Sequence, residues 1–186
     1  MNTALPASPG RPVILTVGHS NRSLPEFIAL LQAHGVTQLV DVRTVPRSRH
    51  NPQFNQATLP AALQAAGIGY IHQPGLGGLR KPRPDSLNTG WRNASFRGFA
   101  DYRQTPAFTA ALDTLLQQAQ SPRVAVKCAE AVPWRCHRSL LADALSVRGI
   151  PVEHRLSVNQ RQAPRLTPWA QVDGIRLSYP LPVHPT

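Results

Sequence analysis

The chain has 186 residues, 41% of them hydrophobic and 16% charged, which fits one globular domain with a sizeable core and excludes a wholly disordered chain. Its formal net charge of +11, nearly all of it arginine, attracts anionic partners such as nucleotides, nucleic acid or phosphorylated metabolites, although a chain rich in Arg, Ala, Pro and Gly is also what GC-rich coding yields with no partner at all. Two cysteines are too few for a secreted disulfide framework, and no stretch is long and apolar enough to cross a bilayer; the expectation is a cytoplasmic protein away from membranes, whose thiols are free, paired by redox chemistry or bound to metal.

Residues 1–12, MNTALPASPGRP, have no apolar leader segment and read as a disordered arm. Residues 13–17 are a short apolar strand that ends at Gly18, His19 and Ser20. A helix then starts at Ser23-Leu-Pro-Glu26, a capping box in which hydroxyl and carboxylate satisfy each other's backbone donors. Leu24, Phe27, Ile28 and Leu31 make its apolar face, and Gly35 stops it. Residues 38–42 form a second strand, buried on both faces, that runs into Asp41-Val42-Arg43 and a loop heavy in Arg, Pro and Asn. A short helix over 58–66 and a short strand over 69–72 follow.

Residues 73–98 read as one long irregular segment, and loops of that length in compact domains are usually lids, binding loops or disorder. Beyond a turn near 99–103, Thr105-Pro106 caps a helix whose Phe108, Leu112, Leu115 and Leu116 keep a helical period. Residues 123–127 are the fourth strand, 138–148 an amphipathic helix and 151–156 the fifth strand. The Pro-rich remainder, 157–186, is expected to wrap the same domain, with a late strand over 174–179.

Alternating strands and helices imply an α/β fold: a single domain over 13–156 with a mostly parallel sheet of about five strands and helices on both faces, in Rossmann- or flavodoxin-like layering, followed by an irregular C-terminal extension. Ligands of such sheets sit beyond the carboxyl ends of the strands. The unusual residues fall there: His19 and Ser20 after the first strand, Asp41 and Arg43 at the second, and Cys128 and Glu130 at the fourth.

The stretch VAVKCAEAVPWRCHR carries most of the chemistry. Arg135, His137 and Arg138 at a helix start oppose its dipole unless an anion is bound, although exposed placement costs only roughly 0.3–1 kcal/mol per charge. Cys128, near cationic groups and a helix N-terminus, is the candidate nucleophile, or else a small core residue. The phosphatase pattern of Cys and an Arg six positions on is not met, because Trp134 stands there. Glu130, Asp41 and His19 are the proton-transfer candidates; their bland roles are ion pairs of Glu130 with Arg135 or Arg138 and of Asp41 with Arg43. Cys128, Cys136 and His137 form an alternative metal set, with His19 or Asp41 completing it, and the two cysteines an alternative redox pair. Trp91, Phe96, Phe99 and Tyr102 alternate with Arg92, Arg97 and Arg103, either a platform for single-stranded nucleic acid, centred on Trp91, Arg92, Phe96 and Arg97, or a satellite cluster fastening the loop to the core.

Together, TVGHSNR, DVRTVPRSRHNPQFN, GLGGLR, FRGFADYRQTPAF and KCAEAVPWRCHR followed by VEHRL resemble the family called domain of unknown function 488, over about residues 13–156. The resemblance implies a single α/β domain. It maps the family's motif onto Gly18, His19, Ser20, Asp41, Arg43, Pro46, Ser48, Gly77, Gly78, Cys128, Glu130, Cys136, His137 and Arg138. It names no reaction.

The reading is an enzyme-like polar pocket for a phosphate-bearing or other anionic ligand, a nucleotide or nucleic acid among the candidates, with no cofactor assigned. Cys128, Glu130, His19 and Asp41 are its candidate catalytic groups, and Ser20, Arg43, Ser48, Gly77, Gly78, Arg135, His137 and Arg138 its anion-binding ones. The rivals are a non-catalytic nucleic-acid-binding module and a metal or thiol redox protein.

Overall fold

The computed structural model describes residues 11–182, so nearly all of the arm expected at 1–12 lies outside the described residues. Arg11, at the start of the described chain, donates to the carbonyls of Arg148 and Gly149, 3.0 Å each.

Five strands run parallel, β1 (Ile14–Gly18), β2 (Gln38–Asp41), β3 (Gly69–His72), β4 (Val124–Cys128) and β5 (Val152–Arg155), in the order β3-β2-β4-β1-β5. A sixth, β6 (Arg161–Gln162), pairs antiparallel with β5 at one edge. Every residue of β1 and β4 is buried, because parallel strands in the middle of a sheet are covered on both faces. This is why ILTVG and VAVKC read as almost unbroken apolar runs.

Helices α1 (Leu24–Ala33) and α2 (Leu59–Ala65) cover one face, where Phe27, Leu30, Leu31, Leu59 and Leu63 pack on Leu15, Val17, Leu39 and Ala125. Helices α3 (Ala94–Tyr102), α4 (Pro106–Gln118) and α5 (Arg138–Ser146) cover the other, with Phe99, Phe108, Leu112 and Leu141 against Ile14, Val40, Val124 and Val126. The faces follow from the two-residue period of the strands: odd positions of β1, β2 and β4 meet α1 and α2, and even positions meet α4 and α5. The Ser23–Glu26 capping box opens α1 and Thr105 caps α4, both as expected from the sequence.

Two elements depart from the sequence expectation. Residues 94–102, half of them assigned to an irregular segment, form α3, capped by the Asn93 side chain on the amides of Ser95 and Phe96. Its mixture of Arg, Asp, Gly and aromatics hides the helical period, and the cap is the signal that could have found it. The tail contributes β6 and a hairpin of β7 (Gln171–Asp173) and β8 (Arg176–Ser178), and it is fastened to α5. Thr167 and Tyr179 each donate a hydroxyl to Asp143 at 2.7 Å.

The chain leaves the adjacent strands β1 and β4 toward opposite faces, into α1 and α5 respectively. That divergence opens a crevice beyond their carboxyl ends. Among the described residues no helix is long and apolar enough to cross a membrane.

Candidate functional site

The crevice begins with a close approach. Gly18 ends β1 against the backbone of Glu130, where a Cβ would overlap the Glu130 carbonyl. The amides of His19 and Ser20 then donate to the carbonyls of Cys128 (3.3 Å) and Ala129 (2.7 Å), tying the loop after β1 to the loop after β4. Ser20 is held at a φ of 49°, alone among the described non-glycine residues in having a positive φ. A side chain held in that region costs about 1–2 kcal/mol, which the paired loops offset.

On the α1–α2 face, strand register sets Asp41 beside Lys127. The Asp41 carboxylate is fully buried and accepts from Arg43 Nε (3.0 Å) and Nη2 (2.7 Å) and from the Tyr70 hydroxyl (2.9 Å), with Lys127 Nζ at 3.5 Å. Burial raises its pKa, but Arg43 and Lys127 outweigh burial and hold it below the usual carboxylate range. Asp41 is thus a fixed negative charge that orients Arg43, and the proton-transfer role expected of it does not fit its place. Lys127, which sequence reading passed over, is fully buried, and burial lowers its pKa to about 7 against the opposing pull of Asp41. The signal was a lysine inside an apolar strand.

His19 stacks on Phe54 with ring centroids 4.3 Å apart. Its Nδ1 lies 2.8 Å from the Ser20 carbonyl, an acceptor, so Nδ1 carries the proton and Nε2 keeps a lone pair. That Nε2 is buried with no partner. Burial and the nearby Lys127 lower the His19 pKa to about 3, so the ring is neutral at ordinary pH.

On the α4–α5 face, Cys128 Sγ lies 2.8 Å from Cys136 Sγ. The loop joining them makes a 3-10 turn at Pro133–Arg135, and Cys136, just before α5, lies 3.5 Å from the Arg138 amide and 3.5 Å from His137 Nδ1. Burial raises the Cys128 pKa, and its contact with Cys136 raises it further. At Cys136 burial acts the same way but is overcome by its contacts with Cys128 and His137, so this thiol is the one driven toward thiolate.

Arg138 is placed otherwise than expected. It is fully buried, and its Nη2 donates to the carbonyls of Glu130 (2.7 Å) and Ala131 (3.2 Å), while Nη1 reaches Thr16 Oγ1 at 3.4 Å. It staples the β4–α5 loop to β1 and is not among the residues that line the cleft, although its Nε has no partner. The ion pair expected of Glu130 with Arg135 or Arg138 is absent among the described residues, and its exposed side chain faces the crevice instead.

The crevice widens into a cleft of about 600 Å³. His19 and Ser20 line it from β1, and Arg43 and Ser48 from the loop after β2. Cys128, Glu130, Arg135, Cys136 and His137 line it from β4 and the start of α5. Gly78 closes a side, where a Cβ would meet the His137 ring, and His137 Nε2 lies 3.0 Å from the Leu76 carbonyl. Asp41, Gly77 and Arg138 lie behind the wall. Gly77 packs against Thr44 and the Val42 carbonyl. Arg47, Asn51, Asn93 and Ser95 also line the cleft, although nothing in their own neighbourhood marked them. Arg43, Arg47 and Arg135 face a single carboxylate, Glu130, so the lining is net positive.

Of the aromatic and basic residues considered for nucleic acid, only Phe96 reaches the cleft. Trp91 stacks on Phe96 at 5.0 Å and meets Trp169 and Tyr179 edge-on, a satellite cluster that occupies its faces, and Arg97 donates to the Trp91 carbonyl. Arg92 is exposed. Among the described residues no three His, Cys, Asp or Glu side chains gather as a metal ion would need, which counts against the set of Cys128, Cys136 and His137.

Compared with known families, residues 23–145 match the model of the one described as Domain of unknown function DUF488. The match takes in the cleft residues from Arg43 to His137 and leaves out His19 and Ser20. No curated protein matches the chain, and no solved structure does.

Proposed function

We propose, from the premise that the chain belongs to the Domain of unknown function DUF488 family, that its cleft binds a phosphate-bearing or otherwise anionic small ligand at an enzyme-like site. The observation that carries this reading is the lining itself: three arginines against one carboxylate, drawn from separate segments of the chain to the crevice between β1 and β4. Arg43 is pre-oriented by Asp41 and further held by the Phe54 carbonyl at 2.6 Å, so its ordering is complete before a ligand arrives. Arg47 and Arg135 are exposed and supply adaptable charge at the mouth. His19 Nε2, a buried lone pair with no protein partner, is suited to accept a hydrogen bond from a ligand hydroxyl or from water. Glu130 is the remaining group for proton transfer. Two cysteines, too few for a secreted disulfide framework, fit a reducing compartment, the cytoplasm.

The test is a titration with inorganic phosphate and with sulfate, followed by NMR at the His137 ring and the amides that open α5. Saturable shifts confined to the cleft are expected. Arg47→Ala and Arg135→Ala should each weaken binding by roughly five- to ten-fold, the discounted worth of an exposed charge-assisted hydrogen bond. No shift at either position, up to saturating salt of both anions, would remove the reading.

A further inference from the structure

We propose that Cys128 and Cys136 are a working dithiol: Cys136 is the attacking thiolate, Cys128 the resolving thiol, and a small hydroperoxide the oxidant that converts them to a disulfide. The proposal deepens the reading of the cleft as a site, since the cleft gives the thiols their access.

Three observations support it independently of one another. The sulfurs lie 2.8 Å apart although the residues come from a strand end and a helix start, so closing a bond of about 2.05 Å asks them to approach by less than an ångström. Both line the same cleft, yet Cys128 is 2% and Cys136 6% exposed, so a reactant that reaches them has to be small. The two thiols are also unequal in their surroundings. Cys136 sits at the start of α5, where the Arg138 amide points at its sulfur. The Nε2 of His137 is committed as donor to the Leu76 carbonyl, which leaves Nδ1, 3.5 Å from Cys136 Sγ, to take the thiol proton. Cys128 ends an apolar strand and points its sulfur at Cys136 and, more weakly, at the Glu130 carbonyl 3.7 Å away. Burial in that setting keeps Cys128 protonated while the helix start favours the thiolate of Cys136.

The chemistry balances in two steps. The Cys136 thiolate attacks one oxygen of the hydroperoxide and breaks the O–O bond. Cys136 becomes a sulfenic acid, and the leaving oxygen takes a proton from His137 and departs as water or an alcohol. Cys128 then attacks the Cys136 sulfur, its thiol proton leaves with the sulfenic hydroxyl as water, and the disulfide closes. Two protein thiols have given up two electrons and the peroxide has taken them. Two molecules of a low-molecular-weight thiol then reduce the disulfide through a mixed disulfide, leave as their own disulfide and return the pair to its starting state.

The experiment treats the full-length protein with hydrogen peroxide and blocks the remaining thiols under denaturing conditions before mass spectrometry. A Cys128–Cys136 disulfide, reversed by dithiothreitol, is expected. In Cys128→Ser, dimedone should trap a sulfenic acid on Cys136, whereas in Cys136→Ser the remaining Cys128 should stay unmodified. Iodoacetamide at pH 6.5 should label Cys136 about ten-fold or more faster than Cys128, as a lowered thiol pKa requires. A purely structural pair would give none of this asymmetry. Two free thiols in the wild type after exposure that oxidises free cysteine would overturn the proposal, as would sulfenic acid trapped on Cys128 alone. If the serine variants fail to fold, the wild-type disulfide map decides by itself. Phosphate titration of the same sample separates the two readings: inert thiols with intact phosphate binding sink only the dithiol, and a reactive pair with no phosphate binding sinks only the anion site.

Discussion

His19 and His154 are both buried in walls of the sheet, His19 stacked on Phe54 and His154 with Nδ1 2.6 Å from Thr16 Oγ1. Burial lowers their pKa values from 6.5 to about 3 and about 4, with neighbouring cations adding to the effect. The unfolded chain therefore binds more protons than the folded one between pH 6.5 and those values, so their stabilising share is complete above pH 6.5 and drains away as pH falls. The thermal midpoint should drop between pH 7 and pH 4.5, and a His19→Gln, His154→Gln double variant should drop less over the same interval. Equal slopes for the two proteins would show that neither imidazole is held neutral by burial. The same scale explains Asp41: a carboxylate that already accepts from Arg43 and Tyr70 has no free lone pair directed at a substrate. Its work is to fix a guanidinium.

The loop between β4 and α5 is the element on which the site depends, and its position is set from both sides. Arg138 pulls its carbonyls inward with two hydrogen bonds, and Gly18 lets it approach β1 closer than any side chain would allow. Gly18→Ala should push this loop outward, costing roughly 1–3 kcal/mol as an overpacked contact does, and separate Cys136 from Cys128. Urea denaturation checks the first effect, and loss of peroxide-induced disulfide in the folded variant checks the second. A neutral Gly18→Ala would mean that the loop yields without cost. Helix α3 teaches a related lesson, because Gly98 within it faces the backbone of Arg80 and Lys81, so the long connection from β3 is clamped against the helix rather than free to act as a lid.

Across the whole molecule, the tail is integral to the domain's stability. Tyr179 is fully buried; its hydroxyl donates to Asp143 on α5 and accepts from Arg103 Nη1 at 3.0 Å, while its amide donates to Asn88 Oδ1 at 2.9 Å. Tyr179→Phe should leave Arg103 and Asp143 each short of a partner and cost about 1–3 kcal/mol, read as a lowered urea midpoint with an unchanged slope. A midpoint equal to that of the wild type would show that water replaces the hydroxyl freely. No described residue of the tail lines the cleft, so this loss should leave phosphate affinity intact.

Strand and helix periods, the caps at Ser23 and Thr105 and the crossover logic of alternating elements were legible in the amino-acid order, because each depends on neighbours a few residues apart. The expected gathering of His19, Asp41 and Cys128 at one edge holds for His19 and Cys128, since parallel strands all end on the same side, whereas Asp41 lies behind the cleft wall and presents Arg43 in its place. Which of these side chains would face a ligand was not legible. Strand parity assigns a face but not a partner, so Asp41 against Lys127, Cys128 against Cys136 and Arg138 turned onto the Glu130 and Ala131 carbonyls had to await the strand order and the path of one loop. Those are settled by long-range packing, in which a buried charge takes whichever partner the fold brings within reach, and that choice leaves no local mark on the chain.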